Sequence, residues 1–337
     1  MSKIRSKVMG VGYYVPPRVV TNADLATTYG IDTSDEWIQQ RTGIKQRHFV
    51  DPGTTNSDLA VFAAKKALDA AQVKREEIDF ILYATLSQDH EFPGTGCFFQ
   101  AKMEMPGVPT MDIRNQCTGF LYGLQMADAL VRTGQYKRIL VVGSEVHSRG
   151  LDLTTRGRDV SVLFGDGACA AVVGVANEGD KGEILHIETH ADGAFAKELW
   201  IDSPGCAYDP VRVSKEMIDD GRIFPTMNGK TVFLHAVRRM PEVLLSVLKA
   251  SGMSLDQVDL LVPHQANLRI NEAVAKTLGL SEDRVFNTIQ RFGNTTAATI
   301  PIGLAEAVAQ GKLKSGMTVA LAAFGSGFTW GAALLRW

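Results

Sequence analysis

A cysteine at the head of an apolar helix is the first feature of this sequence with reactive chemistry in reach. In PTMDIRNQCTGFLYGLQMADALV, the run PTMDI suits a short strand. From Thr118 onward, Phe120, Leu121, Leu124, Ala127, Leu130 and Val131 follow helical spacing. Cys117 therefore falls at a strand-to-helix junction, where unpaired N–H groups and the helix dipole favour a thiolate. The expectation is a thiol acidified below its usual value and nucleophilic toward thioesters. A small buried filler is the alternative, and this stretch by itself leaves both open.

A histidine and an asparagine lie at comparable junctions far down the chain. The strand in LLVPHQANLRI ends at His264, and a helix begins at Leu268. In RFGNTTAATIPIGLAEAV, Gly293 and Asn294 form a tight turn before another helix. Open α/β sheets hold ligands at the carboxyl ends of strands. An ordinary cap for Asn294 and a satisfied core histidine at 264 are the plain readings. In ALAAFGSGFTWGAALLRW, Gly325 and Gly327 allow close backbone approach between two strands, so the Ser326 N–H is a candidate oxyanion donor. A hairpin turn explains the same residues.

The elements that must position these groups repeat at one offset. Ala67 to Thr85 and Val247 to Gln265 share a layout of helix end, polar loop and buried strand, 180 residues apart without a gap. The helix Phe120 to Thr133 falls on Ile300 to Leu313, and the strand Arg138 to Glu145 on Thr318 to Gly325. At this offset Cys117 is mated with Ala297 and His264 with Ala84. Helices between short apolar strands point to α/β units with covered sheets. The chain therefore divides into two similar halves, 1–176 with the nucleophile and 177–337 with the histidine and asparagine. Their join lies in the polar NEGDKGE loop, and Gly193 to Phe224 is an insertion.

Bulk composition narrows the field. The chain has 337 residues, 45% hydrophobic and 21% charged, with formal net charge -2, so neither nucleic acid nor a membrane surface is an expected partner. No apolar run reaches the ~18 residues of a membrane span, and the first residues lack the features of a secretory signal. Cys97, Cys117, Cys169 and Cys206 are scattered, as suits reduced cytoplasm. Gly10-Val-Gly12 lacks a third glycine, Gly229-Lys230-Thr231 lacks the earlier glycine of a phosphate loop, and the H-x-E-x-H of His186 and His190 lies in an apparent strand. No metal is expected from these motifs.

DIRNQCTGF, FGDGA, HQANLRI, GNTTAATIP and FGSGFTWG, in that order, resemble β-ketoacyl-acyl-carrier-protein synthase III of fatty-acid synthesis, from first strand to last residue. The resemblance implies a thiolase-like fold, a five-layered αβαβα sandwich of two pseudo-equivalent halves, normally a homodimer. It implies that Cys117 is acylated by an acyl-CoA while the N–H groups of Cys117 and Ser326 hold the oxyanion. His264 and Asn294 would then bind the thioester carbonyl of malonyl-acyl-carrier protein as CO2 leaves, and the carbanion attacks the acyl-cysteine, a route the resemblance implies needs neither metal nor organic cofactor. Trp37 and Arg158 match the pair that sandwiches the CoA adenine, with Arg41 near the phosphates. Asn267 matches a pantetheine contact, and Phe164 of FGDGA is placed with the substrate-binding residues. Phe92 matches the residue that a partner subunit inserts at the acyl pocket. Arg269, Lys276 and Arg238 are the implied docking residues for the acidic carrier protein.

Some positions depart from the family pattern. Leu234 replaces a lysine on the long helix, Gly-Ser-Gly replaces three glycines, and SQDHEFPGTG adds Glu91 and two glycines beside Phe92. With DIRNQC and YGLQMA, these are similar to members that use longer or unusual primers in quinolone-like pathways. Gly94 and Gly96 are expected to free space at the entrance for a primer longer than acetyl. A chain-length-factor-like partner would lack the nucleophile present here. A degradative thiolase would carry a further C-terminal cysteine, whereas the last one here is Cys206. Hydrolysis of the acyl-enzyme by water is a third alternative.

Overall fold

The computed structural model describes residues 4–177 and 180–337, so residues 178 and 179 of the expected join lie outside the described residues. Nine strands carry the architecture. β1 (Arg5–Tyr14), β2 (Phe80–Ala84), β3 (Thr110–Ile113), β4 (Arg138–Glu145) and β5 (Gly167–Ala176) form one leaf. β6 (Glu183–Ala191), β7 (Leu260–Pro263), β8 (Thr318–Gly325) and β9 (Thr329–Arg336) form the other. Their order is β7-β8-β9-β6-β1-β5-β4-β2-β3, and the two leaves join at the single pair Lys7↔Glu183. β2 runs parallel to β3 and β4, and β7 parallel to β8, as crossover units require; the other neighbours are antiparallel.

Alternation along the strands sorts side chains into layers. On the first leaf Leu82 and Val141 face an inner layer with Phe120, Leu124, Ile300 and Leu304. Their neighbours Ile81, Tyr83, Leu140 and Val142 face outward to helices α2 (Asn56–Ala71) and α3 (Thr95–Lys102). On the second leaf Val319 and Leu321 join the same inner layer, while Ala320, Ala322 and Phe324 pack outward on α5 (Gly229–Ala250) and α6 (Leu268–Leu278). The inner layer is made by α4 (Gly119–Arg132) and α7 (Thr299–Ala309). The order is helix, sheet, helix, sheet, helix: the five layers of the thiolase-like sandwich.

The repeat is geometrical as well as textual. The 3-10 turns Arg75–Glu77 and Leu255–Gln257, and Gln116–Thr118 and Thr296–Ala298, are each 180 residues apart. β2 and β7, β4 and β8, and α4 and α7 begin at the same offset. Even the left-handed backbone at Gln116 (φ 42°) has its mate at Thr296 (φ 51°). The insertion after residue 193 forms a small two-stranded sheet, Leu199–Ile201 with Pro225–Met227, beside the junction.

Candidate active site

β3 delivers the chain to the turn Gln116–Thr118, and α4 starts only at Gly119. Cys117 thus sits in a 3-10 turn ahead of the helix, 7% exposed. The Thr118 hydroxyl lies 2.8 Å from that of Thr329, tying the turn to the second leaf. Gly325 leaves room for the cysteine: a Cβ there would lie 2.5 Å from Cys117 Cβ and 3.0 Å from Sγ. The backbone N–H groups of Ser326 and of Cys117 itself point at the sulfur.

The expected acidification of this thiol is overturned. Burial pushes Cys117 up to about 12, the buried Glu145 carboxyl adds to the rise, and the two N–H groups offset only part of it. One tight turn offers less than a full helix terminus, and the loss of solvent outweighs it. Cys117 therefore rests as a thiol, and a thiol needs a base before it can attack.

His264 follows β7, its N–H held by the Ala322 carbonyl at 2.8 Å. Its Nδ1 lies 2.7 Å from Thr299 Oγ1, and that hydroxyl donates to the Thr296 carbonyl at 2.9 Å. With the hydroxyl proton so placed, Nδ1–H donates and Nε2 carries the lone pair. Nε2 is buried without a partner, a costly state for a polar atom. Burial pushes the ring down to about 3, so it is neutral. The lone pair on Nε2 opens into the cavity that Cys117 also lines, which makes His264 the candidate base for the thiol. Asn294 is fixed through its backbone to Leu163 and Gly165, and its Oδ1 accepts the Thr296 N–H at 2.8 Å. Its Nδ2 is left as the donor.

Two cavities meet at Cys117. The first, about 350 Å³, is lined by Cys117, His264 and Asn294 within and by Trp37, Arg41 and Asn267 farther out. The second, about 360 Å³, has Leu86, Val146, Leu151, Trp200 and Ile201 as apolar wall, with His147 and Thr296 among its polar groups. Phe164 and Leu199 border both.

At the outer end, Trp37 and Arg41 share helix α1 (Asp35–Thr42), which the Ser34 hydroxyl caps. The guanidinium carbons of Arg41 and Arg158 lie 4.2 and 4.7 Å from the Trp37 ring centroid, so both cations stack on the one indole. Asn267 caps α6 through Oδ1 and donates to the Arg41 carbonyl at 3.0 Å, joining α6 to α1. Arg269 and Lys276 are exposed on α6, whereas Arg238 is paired with Glu242 at 2.8 Å. Phe92 projects outward, 82% exposed.

Gly94 and Gly96 line neither cavity. A Cβ at either would run into the Asp112 carboxylate, at 2.6 Å in both cases, so these glycines make room for Asp112 at the start of α3. His147, Thr296 and Thr299 escaped sequence reasoning, as did Leu199, Trp200 and Ile201. The last three lie in the insertion, and a break in the repeat beside its reactive junction was the available signal. His147 and the threonines carried none.

The family profile described as 3-oxoacyl-[acyl-carrier-protein (ACP)] synthase III matches residues 111–193, and its C-terminal counterpart matches residues 248–337. A beta-ketoacyl-[acyl-carrier-protein] synthase III of Oceanobacillus iheyensis is 44% identical over 98% of both chains. One of Xanthomonas campestris pv. campestris is 45% identical over the whole of both. The crystal structure of the 3-oxoacyl-[acyl-carrier-protein] synthase III of Aquifex aeolicus superposes with TM-score 0.88 at 41% identity, covering 98% of this chain and 100% of that one.

Proposed function

The chain belongs to the β-ketoacyl-acyl-carrier-protein synthase III family of condensing acyltransferases, and on that premise we propose how its residues share the work. Cys117 Sγ–H gives its proton to His264 Nε2, and the sulfur attacks the thioester carbon of an acyl-CoA. The N–H groups of Cys117 and Ser326 hold the oxyanion; one such donor is worth about 10²–10³ in rate. The tetrahedral centre expels the CoA thiolate, which takes a proton back from His264.

In the second stage malonyl-acyl-carrier protein enters the first cavity. Between the stages His264 gives its Nδ1 proton to solvent water and takes one from water at Nε2, while the Thr299 hydroxyl turns to donate to Nδ1, so that His264 Nε2–H and Asn294 Nδ2–H both reach the thioester oxygen. CO2 leaves with the electron pair staying on carbon as an enolate. That carbon attacks the acyl-Cys117 carbonyl, the C–S bond breaks, and the thiolate takes up a proton. The β-ketoacyl thioester departs on the carrier.

The observation carrying this reading is that Cys117, His264 and Asn294, from both halves 1–176 and 177–337, line one cavity. Trp37, Arg158 and Arg41 would bind the CoA nucleotide, Asn267 would meet the pantetheine, and Arg269 and Lys276 would receive the acidic carrier. Arg238 serves docking only by leaving Glu242. The working form would be a cytoplasmic homodimer with Phe92 closing the second cavity of the other copy. Among the described residues no helix is long and apolar enough to cross a membrane. Intact mass after incubation with an acyl-CoA panel tests the assignment: the native chain gains one acyl group and Cys117→Ala gains none.

We infer a primer longer than acetyl from the second cavity, about 360 Å³ with Leu86, Val146, Leu151, Trp200 and Ile201 as its apolar wall. Octanoyl-CoA should acylate Cys117 at least as fast as acetyl-CoA. A strong acetyl preference overturns this.

A further inference from the structure

Thr296 is buried, and all three of its polar groups are committed to different partners. Its N–H holds Asn294 Oδ1 at 2.8 Å. Its carbonyl accepts the Thr299 hydroxyl at 2.9 Å, and that hydroxyl meets His264 Nδ1 at 2.7 Å. Its own hydroxyl lies 2.7 Å from His147 Nε2. Asn294 and His264 face the first cavity, whereas His147 and Thr296 line the second. His147 packs against Phe164, which borders both, with ring centroids 4.6 Å apart.

The backbone at Thr296 is left-handed, φ 51°, a conformation that a β-branched residue adopts only under strain. Glycine would relieve that strain at no steric cost. A threonine here is explained by its hydroxyl, whose partner is His147. Strain retained at a site usually has a function to account for it.

We propose that Thr296 is a positioning residue that couples the two cavities. An acyl chain in the second cavity presses on His147 and Thr296, and through them fixes the carboxamide of Asn294 and the Thr299–His264 pair for malonyl decarboxylation. Decarboxylation is thereby tied to the presence of a primer, which limits wasteful loss of CO2. The proposal rests on the roles given above to His264 and Asn294.

The test separates the half-reactions. Cys117 acylation is followed by intact mass, and CO2 release is followed from malonyl-acyl-carrier protein on the preloaded enzyme. Thr296→Gly should lower CO2 release at least tenfold while slowing acylation less than threefold, and Thr296→Ser should recover most of the loss. His147→Leu should show the same split. Thermal melting of each variant reports whether the fold is intact. Parallel losses in both half-reactions, or no loss in either, overturn the coupling. Asn294→Ala, which the mechanism leaves able to acylate, serves as the reference. If it releases CO2 normally, the assignment of the active site fails; if it does not and Thr296→Gly does, only the coupling fails.

Discussion

Gly325 Cα stands where any side chain would strike Cys117, since a Cβ there would come within 2.5 Å of Cys117 Cβ. The end of β8, in the second half of the chain, therefore sets where a sulfur from the first half can rest. Gly325→Ala should cost about 1–3 kcal/mol of stability, as overpacking does. It should slow acylation at least tenfold, and stopped-flow release of CoA checks this.

The thiol of Cys117 is pushed up to about 12, so its thiolate fraction should rise tenfold per pH unit throughout the neutral range. Alkylation by iodoacetamide should climb from pH 6 to 9.5 without a plateau. A plateau below pH 8 would mean an acidified thiol.

Thr299 is the partner of His264 Nδ1. Thr299→Val should leave that nitrogen unbonded and slow condensation about tenfold, whereas Thr299→Ser should stay near the native rate. Steady-state kinetics at several pH values would distinguish a tautomer effect from simple loss of packing.

Arg158 lies over the Trp37 ring and donates to the Asp32 carbonyl at 2.7 Å. Cation–π contacts are worth about 0.5–2 kcal/mol. Trp37→Ala or Arg158→Ala should raise KM for acyl-CoA about 3- to 30-fold with little change in kcat.

Glu145 is fully buried, accepting hydrogen bonds from Ser87 Oγ at 2.5 Å and from the Leu86 N–H and Thr85 Oγ1 at 3.2 Å. Burial raises its carboxyl from 4.5 to about 8. The folded state then holds a proton that the unfolded chain has lost, so this contribution to stability is full below pH 4.5 and disappears as pH rises through about 8. Glu145→Gln should flatten the fall of Tm between pH 5 and 8.

The two-half fold was legible because residues 180 apart obey the same packing demands. Cys117, His264 and Asn294 stand out in the sequence because the repeat makes them odd, their surroundings matching across the halves while their side chains do not, and the structure brings all three to one cavity. The protonation state of Cys117 was not, because desolvation depends on what covers a residue in three dimensions. Thr296 and Thr299 were hidden for a related reason, since a hydroxyl bond spanning 149 residues to His147 leaves no local pattern. The cavity walls from Leu199 to Ile201 come from an insertion, which periodicity does not place.

Trapping the acyl-enzyme tests the central claim most directly. Asn294→Ala, given acyl-CoA and then malonyl-acyl-carrier protein, should keep the acyl mass on a Cys117 peptide while the native enzyme returns to its bare mass. An adduct on another residue, or a variant that clears its acyl group at the native rate, would contradict the account.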